Sequence, residues 1–193
     1  MYHLLQNVST VLRSSSLQTI DSIADSMSPT QYKSKQWLLS TLQGLNLNPK
    51  RILILGGWYG TYLVPMLQQL NPVLIHHTDK DENTIRKAKQ LHQHYDNCLF
   101  EVLDANVMQG MDQEVDMVVN TSCEHMNNMD QIVDANPNCV YVLQSCDNKN
   151  DPGHINIVNS SEELALKSGI SNIMWQGTMS LGHKNRFMVV GIK

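Results

Sequence analysis

The segment Arg51-Ile-Leu-Ile-Leu-Gly-Gly-Trp-Tyr-Gly-Thr61 constrains this chain more than any other. An apolar run, Ile52 to Leu55, stops at Gly56 and Gly57, a third glycine follows at Gly60, and a helical pattern begins just beyond. A buried strand that feeds a glycine turn into a helix is the first unit of a doubly wound sheet, where nucleotide cofactors bind. Glycines there let a ligand approach the backbone, and the first helical turn leaves N–H groups without partners. The same residues also serve a tight turn that holds no ligand. Later spacing favours the nucleotide reading. Asp79 closes a second apolar run, Asp104 a third, and Asn120-Thr-Ser-Cys-Glu-His125 a fourth.

The pattern predicts strands over 51–55, 73–78, 99–103, 115–120 and 139–144. Two further strands are expected over 173–175 and 186–192, joined as a hairpin through a turn at 182–185. Helices are expected over 61–70 and 82–94, and a short one opens at Ser160-Ser-Glu-Glu163 and ends at Gly169. Residues 1–50 read as a helical segment packed on an α/β domain over 51–193, one compact unit. Its apolar spacing runs through Leu4, Val8, Val11 and Leu12, then Leu17, Ile20 and Ile23; a further helix is capped by Ser28 and opened by Pro29. Strands alternating with helices give an open sheet, parallel through strand five, whose ligand crevice lies beyond the carboxyl ends of the strands. Asp79, Asp104, 120–125 and 144–147 all fall at that edge.

Bulk properties narrow the class. A chain of 193 residues, 41% hydrophobic and 17% charged, forms one globular core. A net charge of −4 offers no general attraction to nucleic acid, and Lys33, Lys35, Lys50 and Arg51 read as a solvated face. Cys98, Cys123, Cys139 and Cys146 show neither a CxxC pair nor zinc-ligand spacing, which points to reduced thiols. No leader opens the chain and no apolar run approaches the ~20 residues of a membrane span, so a soluble, cytoplasmic protein without a membrane partner is expected. No metal is expected either: Glu124, His125 and His154 are usable ligands but lack compact spacing.

These residues resemble the class I S-adenosylmethionine-dependent methyltransferase superfamily over residues 31–193. The resemblance implies an α/β, Rossmann-like sandwich whose mostly parallel sheet ends in a C-terminal antiparallel strand pair. It also implies S-adenosyl-L-methionine as cofactor and methyl transfer to an acceptor it does not name. In that family the glycine turn holds the methionyl part of the cofactor, here Gly56, Gly57, Trp58 and Gly60. The acid after strand two takes the ribose hydroxyls, here Asp79, and the acid after strand three takes the adenine amino group, here Asp104. The loop that begins at Asn120 faces the cofactor and the transferred group. The wording of Leu-Gly-Gly-Trp-Tyr-Gly, Asn-Thr-Ser-Cys-Glu-His, Leu-Gln-Ser and Gly-His-Ile-Asn is similar to small methyltransferase-fold proteins of bacteria and tailed phages, which implies the cytoplasm of a bacterium or an infected host. Two positions depart from the family pattern. Ile54 stands where an acid is usual near the end of strand one, and Trp58 replaces the middle glycine. The strand-four loop also lacks the Asn/Asp-Pro-Pro-aromatic pattern of enzymes that methylate base amino groups.

Glu124 and His125 are the candidate general base, since both follow a central strand and a carboxylate or imidazole there can accept a proton from an attacking acceptor. The competing reading is a helix N-terminus capped by Ser122, with Glu124 against the dipole. Asn120 is expected to help place the acceptor. His154 sits in a loop after strand five that either covers the substrate or is solvated. Asp79 competes with Asp81 for the cap of the following helix, and Asp81 is the better placed. A side chain added at Gly57 is expected to enter the methionyl space. Three alternative activities share the fold: aminocarboxypropyl transfer, cofactor cleavage, and non-catalytic cofactor binding.

Overall fold

A computed structural model describes residues 2–108, 114–151, 153–182 and 184–193. His183, in the expected hairpin turn, and Pro152, in the loop before His154, lie outside the described residues. Three helices come first: α1 (Tyr2–Arg13), α2 (Leu17–Ser26) and α3 (Pro29–Gly44). Then follow β1 (Arg51–Leu55), α4 (Leu63–Leu67), β2 (Leu74–Asp79), α5 (Glu82–Leu91), β3 (Cys98–Val102) and β4 (Met117–Asn120). The chain ends with α6 (Met129–Ala135), β5 (Val140–Cys146), α7 (Ser161–Ser168), β6 (Asn172–Ser180) and β7 (Asn185–Ile192).

The seven strands lie in the order β3-β2-β1-β4-β5-β7-β6. Strands β1 to β5 pair in parallel, and β7 runs antiparallel to both β5 and β6. This is the sheet expected from the sequence. Each central strand is buried on both faces, as crossover helices require of parallel strands. Leu53, Leu55, Val118, Tyr141, Leu143, Phe187 and Val189 form one core with α6 and α7. Ile52, Ile54, Met117, Val119, Val142, Met188 and Val190 form the other with α3 and α4. Alternate residues of one strand thus serve opposite layers.

Local signals fix several boundaries. Asp81 caps α5 by accepting from the Thr84 N–H at 2.6 Å, which leaves Asp79 outside the helix. Ser160 caps α7 the same way, and Gly169 closes that helix at φ +74°. Ser28 precedes Pro29 in extended backbone but forms no capping bond, its hydroxyl pairing with Thr30 instead. Helix α5 stops at Leu91 rather than 94, because His92 turns inward to the Tyr59 carbonyl. Helix α6 has no counterpart in the sequence reading.

The N-terminal helices sit on the segment that follows β1. Leu4, Val8, Val11 and Ile23 pack with Tyr59 and Leu91. Tyr59 Oη donates to Ser22 Oγ at 3.2 Å, Tyr62 Oη donates to the Met27 carbonyl at 3.0 Å, and Ser26 and Thr61 share a hydroxyl bond of 2.7 Å. No helix among the described residues is long and apolar enough to cross a membrane.

Candidate active site

The glycine turn is shaped from within the protein. Gly56, Trp58 and Gly60 have φ of +58°, +51° and +62°, a region costly for any residue but glycine. Trp58 is held there from both sides. Its N–H donates to Asp79 Oδ2 at 2.9 Å, and its carbonyl accepts from His77 Nε2 at 2.9 Å. His92 Nε2 holds the next carbonyl, Tyr59, at 3.0 Å. Burial drives both imidazoles neutral, lowering His77 to about 4 and His92 to about 3. A Cβ at Gly57 would collide with His77 Cε1, and one at Gly60 would lie 2.8 Å from the same atom. This corrects the expectation for Gly57: the space a side chain would enter belongs to His77, not to a ligand.

A cleft of about 440 Å³ runs along the carboxyl edge of the sheet. Its wall includes Gly56, Gly57, Trp58, Gly60, Asp79, Asp104, Glu124, His125 and His154, so those predicted residues meet in space. Asn120 does not line it. That side chain is fully buried, with Nδ2 against the sulfurs of Met126 and Met129 at 3.0 and 3.2 Å and Oδ1 accepting from the Ser122 N–H at 2.8 Å.

The β3–β2–β1 side of the cleft carries two carboxylates on turns. Asp79 Oδ1 accepts from the Asp81 N–H at 3.1 Å, and Oδ2 from Trp58. Asp104 Oδ1 accepts from the backbone and side chain of Asn106 at 2.9 and 3.2 Å. Each carboxylate oxygen has two lone pairs, so acceptor capacity remains for ligand donors.

The β4–β5–β7 side is a buried charge cluster. Residues 123–125 form a single 3₁₀ turn, and Ser122 makes no cap but donates to the Gly56 carbonyl at 3.3 Å. Glu124 therefore answers to Arg186 rather than to a helix dipole, with Nη1 2.7 Å from Oε1. Arg186 Nη2 also donates to the Thr121 carbonyl. Burial is the largest influence and raises the Glu124 carboxyl, but the charge and hydrogen bond of Arg186, a backbone N–H and the nearby His125 together outweigh it and hold the group below the usual carboxylate range. His125 Nδ1 donates to the Gly153 carbonyl at 2.8 Å, which leaves Nε2 as its lone-pair nitrogen. His154 Nδ1 donates to the Asn148 carbonyl at 2.7 Å, its Nε2 lies 3.5 Å from Asp151 Oδ2, and the two imidazole rings meet edge-on at 4.7 Å. Glu124, Cys146 and His154 offer ligand atoms within 4.8 Å of one another, yet the guanidinium already fills the role of cation there.

The sequence reading missed Arg186 and Lys35. The signal for Arg186 is a lone cation at the start of an apolar strand; because β7 is antiparallel, Arg186 pairs with Cys146 at the carboxyl edge. Lys35 reads in the sequence as part of a solvated face, but it is 9% exposed and lines the cleft. Only the docking of α3 on the sheet puts it there.

No protein-family model matches the chain, and no curated protein is similar to it in sequence. Solved structures are similar in fold. The N-methyltransferase NodS from Bradyrhizobium japonicum WM9 superposes with a TM-score of 0.67 at 12% identity, over 87% of this chain and 98% of that one. Its complex with S-adenosyl-L-homocysteine gives 0.66 at 12% identity, over 86% and 88%. A SAM-dependent methyltransferase from Aquifex aeolicus gives 0.58 at 17% identity, over 86% and 98%. The chain has the class I methyltransferase fold. In that fold its cleft lies at the edge where the strand order reverses, between β1 and β4, the place for a ligand in an open α/β sheet.

Proposed function

We propose that this protein transfers a methyl group from S-adenosyl-L-methionine to an acceptor, a small molecule or a modified polymer, that reaches the cleft beside His125. The observation that carries this reading is the joint placement of Asp79, Asp104 and the braced glycine turn on one wall of the cleft. Asp79 would accept from the ribose hydroxyls, and Asp104 from the adenine amino group. Gly56, Gly57, Trp58 and Gly60 would run beside the methionyl arm. The cofactor supplies a methyl already activated by its sulfonium, so the protein's task is chiefly proximity and alignment.

His125 is the base in this reading. Its Nδ1–H is committed to Gly153, which fixes the tautomer and presents Nε2 for the acceptor's proton. Glu124 is a weak base because Arg186 stabilises its ionised form; it positions the turn that carries His125. His154 packs against the His125 ring and sets its orientation. Asn120 stays behind the loop, bonding the Ser122 N–H.

Titration calorimetry with S-adenosyl-L-methionine is the first test, and a flat trace at high protein concentration would sink the reading. Product mass is the second. S-adenosyl-L-homocysteine marks methyl transfer, whereas methylthioadenosine marks aminocarboxypropyl transfer or cleavage. Once an acceptor is in hand, His125→Ala should cut turnover by ~10²–10⁴-fold while cofactor affinity stays within a few-fold. Unchanged turnover removes His125 from the chemistry.

A further inference from the structure

Lys35, a buried amine in the cleft wall, forms no ion pair among the described residues. Lys35 is nine-tenths buried, and its Nζ makes one hydrogen bond, to the neutral Gln31 Oε1 at 2.8 Å. An ammonium has three donors, so two are left over. The charges that face it come from three elements: Arg186 on β7 and Lys184 in the β6–β7 turn repel it, and Glu124 attracts it but is already paired with Arg186. Neither Lys35 nor Lys184 has a carboxylate partner among the described residues. Arg186 Nε is a further buried donor without an acceptor there.

The backbone that carries the lysine is fixed in place against the sheet. Its neighbour Ser34 is fixed to β5 twice: Ser34 Oγ donates to Gln144 Oε1 at 2.8 Å, and Gln144 Nε2 donates to the Ser34 carbonyl at 3.2 Å. An isolated buried ammonium is expensive unless an anion meets it. Burial first, then Arg186, lowers the Lys35 amine to about 7, the response of such a group left without that anion.

We propose that Lys35 anchors a carboxylate-binding subsite at the β7 end of the cleft, with Lys184 and Arg186 completing its positive wall. The carboxylate has two chemical sources: the amino-acid arm of the cofactor, or an acid group on the acceptor. The choice between them rests on the function proposed above; the subsite itself rests on the cluster.

Calorimetry with S-adenosyl-L-homocysteine and with methylthioadenosine separates these cases, because only the first carries the carboxylate. If the cofactor is the source, the wild type should favour S-adenosyl-L-homocysteine by about tenfold or more. Lys35→Met should erase most of that preference, leave methylthioadenosine binding unchanged, and be rescued in part by Lys35→Arg. If the preference survives Lys35→Met, acetate is titrated into the S-adenosyl-L-homocysteine complex of protein carrying ¹³C-lysine. An acetate-dependent upward shift in the Lys35 titration then assigns the subsite to the acceptor. Survival of the preference with no acetate response overturns the proposal. Should neither nucleoside bind the wild type, it is the cofactor reading that has failed, and the acetate titration of the free protein alone decides the subsite. Thermal melts of both variants guard against misfolding; removing a buried charge in Lys35→Met should leave stability unchanged or raise it.

Discussion

The two ends of the cleft are built in opposite ways. At the β2–β3 end, Asp79 and Asp104 are held by backbone N–H groups two residues further along their own turns. Each carboxylate takes support from its own turn, with the Trp58 N–H added at Asp79, so a short stretch of sequence specifies most of it. At the β4–β7 end, Glu124 meets Arg186 across 62 residues, and Gln144 fixes α3 across 110. No local stretch specifies that end; it exists only once the sheet and α3 have docked. Effects at the first end should therefore be largely separable residue by residue, whereas the second is a buried electrostatic unit whose members depend on each other.

Acid should expose the largest difference. His77 and His92, beneath the glycine turn, are neutral and buried, with folded pKa values of about 4 and about 3 against 6.5 when unfolded. Between pH 6.5 and those values the unfolded chain binds protons that the folded chain excludes, so stability falls as pH falls; above 6.5 neither group contributes. The loss is on the order of 3 kcal/mol for His77 and at least as much for His92. Urea midpoints between pH 7 and 4 measure it. A slope no shallower in His77→Gln than in the wild type would place the acid sensitivity elsewhere.

Removing Arg186 comes next. Arg186→Met leaves Glu124 buried and unpaired, with an expected cost of about 3–5 kcal/mol in equilibrium unfolding. Adding Glu124→Gln should recover much of it, and additive losses would show that the pair is not a unit. Asp79→Ala tests the opposite end. Cofactor affinity should fall by about 1.5–3 kcal/mol for each lost bond to the charged group, with a smaller loss of stability through the Trp58 N–H. The smallest effect is set for Gly57→Val, about 1–3 kcal/mol of stability without ligand as the new side chain meets His77. Weakened cofactor binding with an unchanged melting temperature would return that glycine to a ligand role.

What could be read from the sequence follows the same division. Strand β1 emerges with its expected bounds, and the parallel order through β5 with the closing antiparallel pair is as expected, because buried strands write themselves as apolar runs between turn residues. The positions of Asp79 and Asp104 at one edge follow from that topology. Short elements were harder. Helix α6 is only seven residues, too short to show a helical period. Lys35 and Arg186 were illegible for another reason. Charge in a sequence reads as solvated surface, and only tertiary packing buries it. His77 is a third case: within an apolar run it looks like core filling, yet it is what demands glycine at 57 and 60.

The bonds from Tyr59, Thr61 and Tyr62 to Ser22, Ser26 and Met27 give the first helices a kinetic meaning. Asp25 and Ser26 form part of the cleft wall, so any opening of α2 breaches the wall and frees three side chains of the segment after β1 together. Local opening of a helix has its own free energy, separate from global unfolding. A molecule bound in the cleft should then leave no more slowly than α2 opens, and a substitution as remote as Ser22→Ala, outside the cleft wall, should show itself in the off-rate.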